Sequence, residues 1–193
     1  MKIYFTASLT GKKEYLNNYK KIVQYLKKLK CKVFYEQIFQ VSKEDIMNES
    51  QDERKVYHQY LVENVGRSDA FVAEVSYPST SVGYEISLAL SKEKPVLVLY
   101  DEETGDWPSL LQALKEEKVL LMPYNLDNLK IILKNSLDFL RERSIEKRFT
   151  MLMAPKLLKG LEKICKSKKI PRSVYIRELI EEDLKKKLRK NRK

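Results

Sequence analysis

Histidine is nearly absent from these 193 residues: His58 stands alone. That scarcity argues against His-rich metal clusters and against a Ser–His–Asp triad. Cysteine is almost as rare. Cys31 and Cys165 are isolated and suggest neither a disulfide framework nor a cysteine metal site, and a reducing cytoplasm is the expected setting. No apolar run approaches the length of a membrane span, so no membrane partner is expected. The opening Met1-Lys2-Ile3-Tyr4-Phe5 turns polar too soon to read as a secretory signal. Neither an internal repeat nor a low-complexity linker is visible. What remains is 43% hydrophobic and 34% charged, the balance of a folding chain rather than a disordered one. Its length suits one medium domain, or one with a small appendage.

The net charge of +11 is unevenly spread. Residues 1–140 hold 19 Lys/Arg against 20 Asp/Glu, whereas residues 141–193 hold 19 against 7. All the excess positive charge therefore lies in the last 53 residues, as expected when one segment meets a polyanion and the other does not. A solvated lysine-rich tail is the plainer alternative.

Periodicity divides the chain in the same place. Over the first part, short β-like runs alternate with amphipathic helical stretches. Strands are expected at Lys2–Ala7, Lys32–Glu36, Ala70–Val75, Pro95–Tyr100 and Lys118–Pro123. Helices are expected at Lys12–Lys30, within the second half of Gln40–Ser68 around Val56, Tyr60, Val62 and Val65, at Val82–Ser91 and at Leu126–Arg143. This alternation implies an α/β fold: a mostly parallel five-stranded sheet with helices on both faces, Rossmann-like or flavodoxin-like. Ligands of such sheets bind beyond the carboxyl ends of the strands, so the loops after Phe5, Glu36, Val75 and Tyr100 should share one rim. The second part differs. Lys147–Met153 alternates, Ala154–Ser167 is helical, and a break at Lys168–Pro171 leads into another helix starting near Pro171 and Ser173. A strand and two short helices cannot bury enough surface alone, so a second copy of the chain is expected to complete this β-α-α module. The domains are expected at 1–143 and 144–193, with Arg141–Glu146 as the join.

The chemistry concentrates in Ser68 to Glu85, which reads as a strand, a serine-bearing turn and a helix start. Free N–H groups and hydroxyls at a helix amino terminus form a phosphate site. Glu85 follows early in that helix and can reach the same cleft, where a carboxylate can attack or stabilise an oxocarbenium-like sugar carbon. Taken alone, Glu85 could equally be a solvated residue favoured by the helix dipole. Trp107 and the scattered tyrosines read as core or rim.

These stretches resemble the nucleoside 2-deoxyribosyltransferase family, in particular its 2'-deoxynucleoside 5'-phosphate N-hydrolase branch. Lys2 to Gly11 is similar to the family's first strand and phosphate loop, Val33-Phe34-Tyr35-Glu36 to its second strand, and Ala73-Glu74-Val75 through Gly83-Tyr84-Glu85 to its signature. The resemblance implies Glu85 as nucleophile, Ser8, Gly11 and Ser79 on a 5'-phosphate, and Tyr4 lining the site. Glu36 and Gly83 fall within the matched stretches, and Ser109 resembles a serine lent by a neighbouring subunit. The implied ligand is a nucleoside 5'-monophosphate or nucleoside, with no metal and no organic cofactor. Two positions depart from the pattern. An aspartate is usual about eight residues before the position of Asp69, where this chain has Tyr60-Leu61; Glu36, Glu63 and Asp69 are the candidate substitutes. An arginine is usual where this chain has Thr10. Losing general-acid help costs ~10²–10⁴ in rate. A nucleotide-sensing regulator without catalysis, and transfer of deoxyribose between bases, therefore stand as alternatives.

From Lys147 to about Lys187 the chain resembles ribbon–helix–helix DNA-binding proteins. The resemblance implies a homodimer on double-stranded DNA, with Arg148, Thr150 and Leu152 entering the major groove and Arg172 and Ser173 touching phosphate. The alternative is a dimerisation clasp with incidental charge.

Overall fold

The computed structural model describes residues 1–41, 45, 48–103, 108, 117–145 and 151–190; the side chains at 36, 37 and 188–190 are not described. The chain divides into two compact units, Met1–Arg148 and Phe149–Lys193.

In the first unit the strands are β1 (Lys2–Ala7), β2 (Lys32–Phe34), β3 (Ala70–Glu74), β4 (Val96–Asp101) and β5 (Val119–Tyr124). They form one sheet in the order β2-β1-β3-β4-β5, and every pairing is parallel. The central strands β1, β3 and β4 are almost wholly buried, as the apolar runs of a doubly covered parallel sheet must be. Pro123 lacks a donor for the ladder, and it sits in β5, the edge strand of the sheet among the described residues.

The helices are α1 (Lys12–Lys28), α2 (Glu36–Gln40), α3 (Gln51–Arg67), α4 (Thr80–Ser91) and α5 (Leu129–Ile145). Ile3, Phe5, Val72, Leu97 and Leu99 pack with Tyr19, Ile22 and Leu26 of α1 and with Leu129, Leu133 and Leu137 of α5. Tyr4, Phe71, Ala73, Val96 and Val98 face the other way, against Leu61 and Val65 of α3 and Val82 and Ile86 of α4. Two-residue strand periodicity thus sorts the core into two layers.

Several boundaries differ from expectation. The helix expected to reach Lys30 stops at Lys28 because Lys30 takes φ 62°, a left-handed stop. The strand expected to reach Glu36 ends at Phe34, and Glu36 opens α2. Ser50 and Glu53 form a reciprocal capping box that starts α3 well after Gln40. Of the apolar residues that marked this helix in the sequence, Val56 is exposed and Val65 buried, and Leu61 and Asn64 share the buried face. Arg141–Ile145, expected within the join, forms the end of α5.

The second unit contains α6 (Pro155–Lys168) and α7 (Arg172–Lys190). Pro155 at the first turn of α6 and the left-handed Lys169 after it bound that helix. The lysine-rich stretch from Lys185 continues α7 through Lys190, aided by Lys187–Asp183 at 2.8 Å.

Candidate active site

The strand order reverses between β1 and β3: β2 lies on one side, β4 and β5 on the other. At the carboxyl ends of these strands lies a cavity of about 540 Å³. β1 contributes Tyr4 and Thr6 to its lining; Leu9 and Thr10 come from the loop after β1, Arg54 and Tyr57 from α3, and Ser79 and Ser81 from the start of α4.

Ser79 caps α4, its Oγ accepting from the Val82 N–H at 3.4 Å. The inward stripe of α4 is Val82, Glu85, Ile86 and Ala89, so one carboxylate interrupts an otherwise apolar face. Glu85 lines the cavity and is only 4% exposed. Tyr57 donates its O–H to Glu85 Oε1 at 3.1 Å, while the buried Oε2 has no hydrogen-bond partner. Burial pushes the Glu85 carboxyl above the ordinary glutamate range, and the Thr6 and Tyr57 hydroxyls pull it partly back. Tyr4 stacks on Phe71 with centroids 5.5 Å apart, and its hydroxyl hydrogen-bonds that of Tyr57. Burial and the adjacent Glu85 hold both phenols far toward their protonated forms.

A second buried carboxylate faces the opposite side of the sheet. Glu74 ends β3, paired in register with Ala7. Its Oε1 accepts from the Ser76 hydroxyl and from Tyr124 at 3.1 Å, while Asn18 donates to both Tyr124 and Asp101. Burial, against those hydrogen bonds, raises its carboxyl to about 7. Above this cluster Gly11 is packed against Tyr77. A Cβ there would sit 2.6 Å from Tyr77 Cβ and 2.8 Å from the Tyr19 hydroxyl.

The structure gathers Tyr4, Ser79 and Glu85 around one cavity. Ser8 and Gly11 are buried beside it rather than in its lining: Ser8 Oγ accepts from the Gly11 N–H at 3.2 Å, which shapes the loop. Gly83 is exposed at the next turn of α4 and does not line the cavity. The Glu36 side chain, Ser109 and Trp107 lie outside the described residues. Neither Glu63 nor Asp69 lines the cavity. Glu63 is exposed and pairs with Arg67 at 3.4 Å, and Asp69 accepts from the Lys2 N–H at 2.7 Å. Leu61 is buried in the core between α3 and α4.

Tyr57 and Arg54 are among the lining residues that the sequence did not single out. They stand three apart on α3, so they share one helix face. Glu53 three residues after Ser50 marks where α3 starts and could have given its phase, but not what it packs against. Among the described residues no group of three or more His, Cys, Asp or Glu could hold a metal ion.

Arg148, which closes the first unit, and Thr150 of the second both lie outside the described residues. Leu152 is fully exposed, and the described residues 151–154 beside it form no strand. Arg172 and Ser173 open α7, and Arg172 pairs with Glu162 at 3.1 Å. Among the described residues no helix is long and apolar enough to cross a membrane.

Residues 3–122 match the family model for nucleoside 2-deoxyribosyltransferase. A Nematostella vectensis protein named for 2'-deoxynucleoside 5'-phosphate N-hydrolysis is 36% identical over 105 residues, 54% of this chain and 70% of that one. The 5-hydroxymethyl-dUMP N-hydrolase of Rattus norvegicus is 31% identical over 103 residues, 53% of this chain and 63% of that one. A solved CMP N-glycosidase of Clostridium botulinum aligns with TM-score 0.47 at 14% identity, covering 72% of this chain and 99% of its own. With 120 consecutive residues, from Ile3 through Met122, matching its model, this chain belongs to the nucleoside 2-deoxyribosyltransferase family.

Proposed function

We propose that this chain hydrolyses the N-glycosidic bond of a nucleoside 5'-monophosphate, with Glu85 as nucleophile. The observation that carries this reading is a buried carboxylate with one unpartnered oxygen, lining a cavity that opens beside a serine-capped helix start. Relatives named for 2'-deoxynucleoside 5'-phosphate and 5-hydroxymethyl-dUMP N-hydrolysis support it.

In this mechanism Oε2 bonds to C1' as the C1'–N bond breaks, and the base leaves with the electron pair and takes a proton from solvent. Water then attacks C1', gives up a proton, and displaces Glu85 as carboxylate. Glu85 must be ionised to attack, so its burial sets the acid side of the activity range. Ser79, Ser81 and the N–H groups opening α4 suit a phosphate, and Arg54 adds a cation where the loop carries Thr10 instead of arginine. Tyr4 forms part of the wall beneath the sugar.

A non-catalytic sensor is the second reading. It is favoured by Leu61, an apolar core residue close to where a sugar-contacting acid was expected. A panel of ribo- and deoxynucleoside 5'-monophosphates separates the two. Free base released by the wild-type chain and abolished in Glu85→Gln supports hydrolysis; tight binding without base release supports the sensor. Transfer of deoxyribose would show as a new nucleoside when a second base is supplied.

For the second unit we propose a ribbon–helix–helix module that pairs two copies and holds duplex DNA. Its support is the concentration of positive charge after residue 140 and the exposed apolar residues of α6 and α7, among them Leu157, Leu179, Ile180 and Leu184. A unit with so little buried surface gains its core from a second copy.

A further inference from the structure

The two oxygens of Glu85 are not equivalent. Oε1 accepts from Tyr57 at 3.1 Å, and Oε2 is buried without a partner. A carboxylate otherwise turns freely about its terminal torsion, presenting either oxygen in a range of planes. We propose that Tyr57 is the positioning residue of this site: its hydroxyl holds Oε1 so that Oε2 is the atom presented to the sugar. This inference rests on the N-glycosidase reading given above.

The holder is itself held. The Tyr4 hydroxyl hydrogen-bonds that of Tyr57, and the Tyr4 ring lies on Phe71 at an interplanar angle of 14°. Glu85 is thereby tied through Tyr57 to two of the central strands, β1 and β3. One residue further along α3, His58 meets the Tyr84 hydroxyl at 2.6 Å. Two successive cross-helix pairs, Tyr57–Glu85 and His58–Tyr84, fix the rotation of α3 against α4. Such support converts a flexible side chain into a preorganised nucleophile.

A phenol also differs chemically from the acid expected near this place. A second carboxylate would compete with Glu85 for a proton, whereas a neutral O–H donor favours its ionised form. The Thr6 hydroxyl on β1 also favours the ionised form of Glu85; Tyr60 on α3 lies near Tyr4, and Glu49 and Arg54 stand in the cavity lining. Glu74 faces the other layer.

The test uses the full chain and Tyr57→Phe, which keeps the ring and removes only the hydroxyl. Carboxyl carbon NMR of protein labelled at glutamate, assigned with Glu85→Gln, reads the titration of Glu85 without any substrate. Kinetics with the best-cleaved monophosphate read the chemical step. The expected result is a higher Glu85 midpoint, an acid limb of kcat moved to higher pH, and kcat at the plateau lower by about ten- to a hundredfold with KM nearly unchanged. An unmoved Glu85 midpoint overturns the proposal whether or not the chain is catalytic. A moved midpoint with unchanged plateau kcat overturns it too, since the bond would then exist without positioning the attack. If the wild-type chain cleaves no monophosphate, the functional reading falls, and the positioning role for this reaction falls with it.

Discussion

Glu85 occupies a place on α4 where an apolar side chain would cost nothing. Burying a carboxylate there is unfavourable unless the protein uses it, and an isolated perturbed acid in a cavity is the usual mark of a working site. Its neighbours divide the labour: Tyr57 and Thr6 favour the ionised form, while Ser79 at the helix start faces the same cavity. Ser79→Ala should lower affinity for a nucleoside 5'-monophosphate by about 1.5–3 kcal/mol, with much less effect on the matching nucleoside. Calorimetric titration of both ligands checks this. Equal losses would mean that Ser79 serves only as the α4 cap, a role worth ~1 kcal/mol of stability.

At the scale of elements, the site depends on how the β1–α1 loop and α3 meet the sheet. Gly11 has φ −71°, a conformation open to any residue, so its need is for space rather than for backbone freedom. The Tyr77 Cβ that an added methyl would meet moves only with its own backbone. Gly11→Ala should therefore destabilise the protein by about 1–3 kcal/mol, as overpacking does. Urea unfolding measures it, and an unchanged midpoint would show that the loop yields without cost. The start of α3 is well marked, by Ser50 and Glu53, but its face is not. Its inner residues include Asn64 as well as Leu61 and Val65, and its apolar Val56 points to solvent. Hydrophobic periodicity therefore could not say that Arg54 and Tyr57 face the cavity.

At the scale of the whole molecule, pH and salt should act on different parts. Glu74, raised to about 7 by burial, binds a proton in the folded state at pH values where the unfolded chain has lost it. Between its ordinary value of 4.5 and about 7 the folded form holds more protons, so stability falls as pH rises through that window. Glu74→Gln should remove this contribution. The variant should be near-neutral against wild type at pH 5 and relatively more stable by a few kcal/mol at pH 8, since raising a carboxyl tenfold in proton affinity is worth about 1.4 kcal/mol. Unfolding free energies at the two pH values decide it; a difference independent of pH would mean that Glu74 does not titrate in the folded protein. Salt should act through the basic second unit. The full chain is expected to sediment as a dimer and to bind duplex DNA with affinity that drops steeply as salt rises. The Arg172–Glu162 pair is exposed on both sides and is worth little, so a phosphate can displace the glutamate. Arg172→Ala should weaken all sequences alike, whereas Arg148→Ala should relax discrimination among them. A monomer would remove the ribbon–helix–helix reading, and a dimer indifferent to DNA at low salt would leave a clasp.

Much of the first unit was written locally. Parallel central strands must be apolar on both faces, so β1, β3 and β4 stood out as unbroken runs, and α1 and α5 showed their buried stripes at helical spacing. The serine turn followed by Glu85 placed a carboxylate at the head of a helix, because capping and dipole chemistry act within a single turn. The charge division after residue 140 needed only counting. Tertiary structure alone decided which groups meet. Tyr57 and Glu85 are 28 residues apart, and their contact depends on the rotation of α3 about its axis as it packs on α4. Glu74 and Tyr124 join across β4 from 50 residues apart, which only the strand order permits. Backbone propensity and periodicity are properties of neighbours along the chain, whereas the partner of a buried polar group is settled by the packing of whole elements.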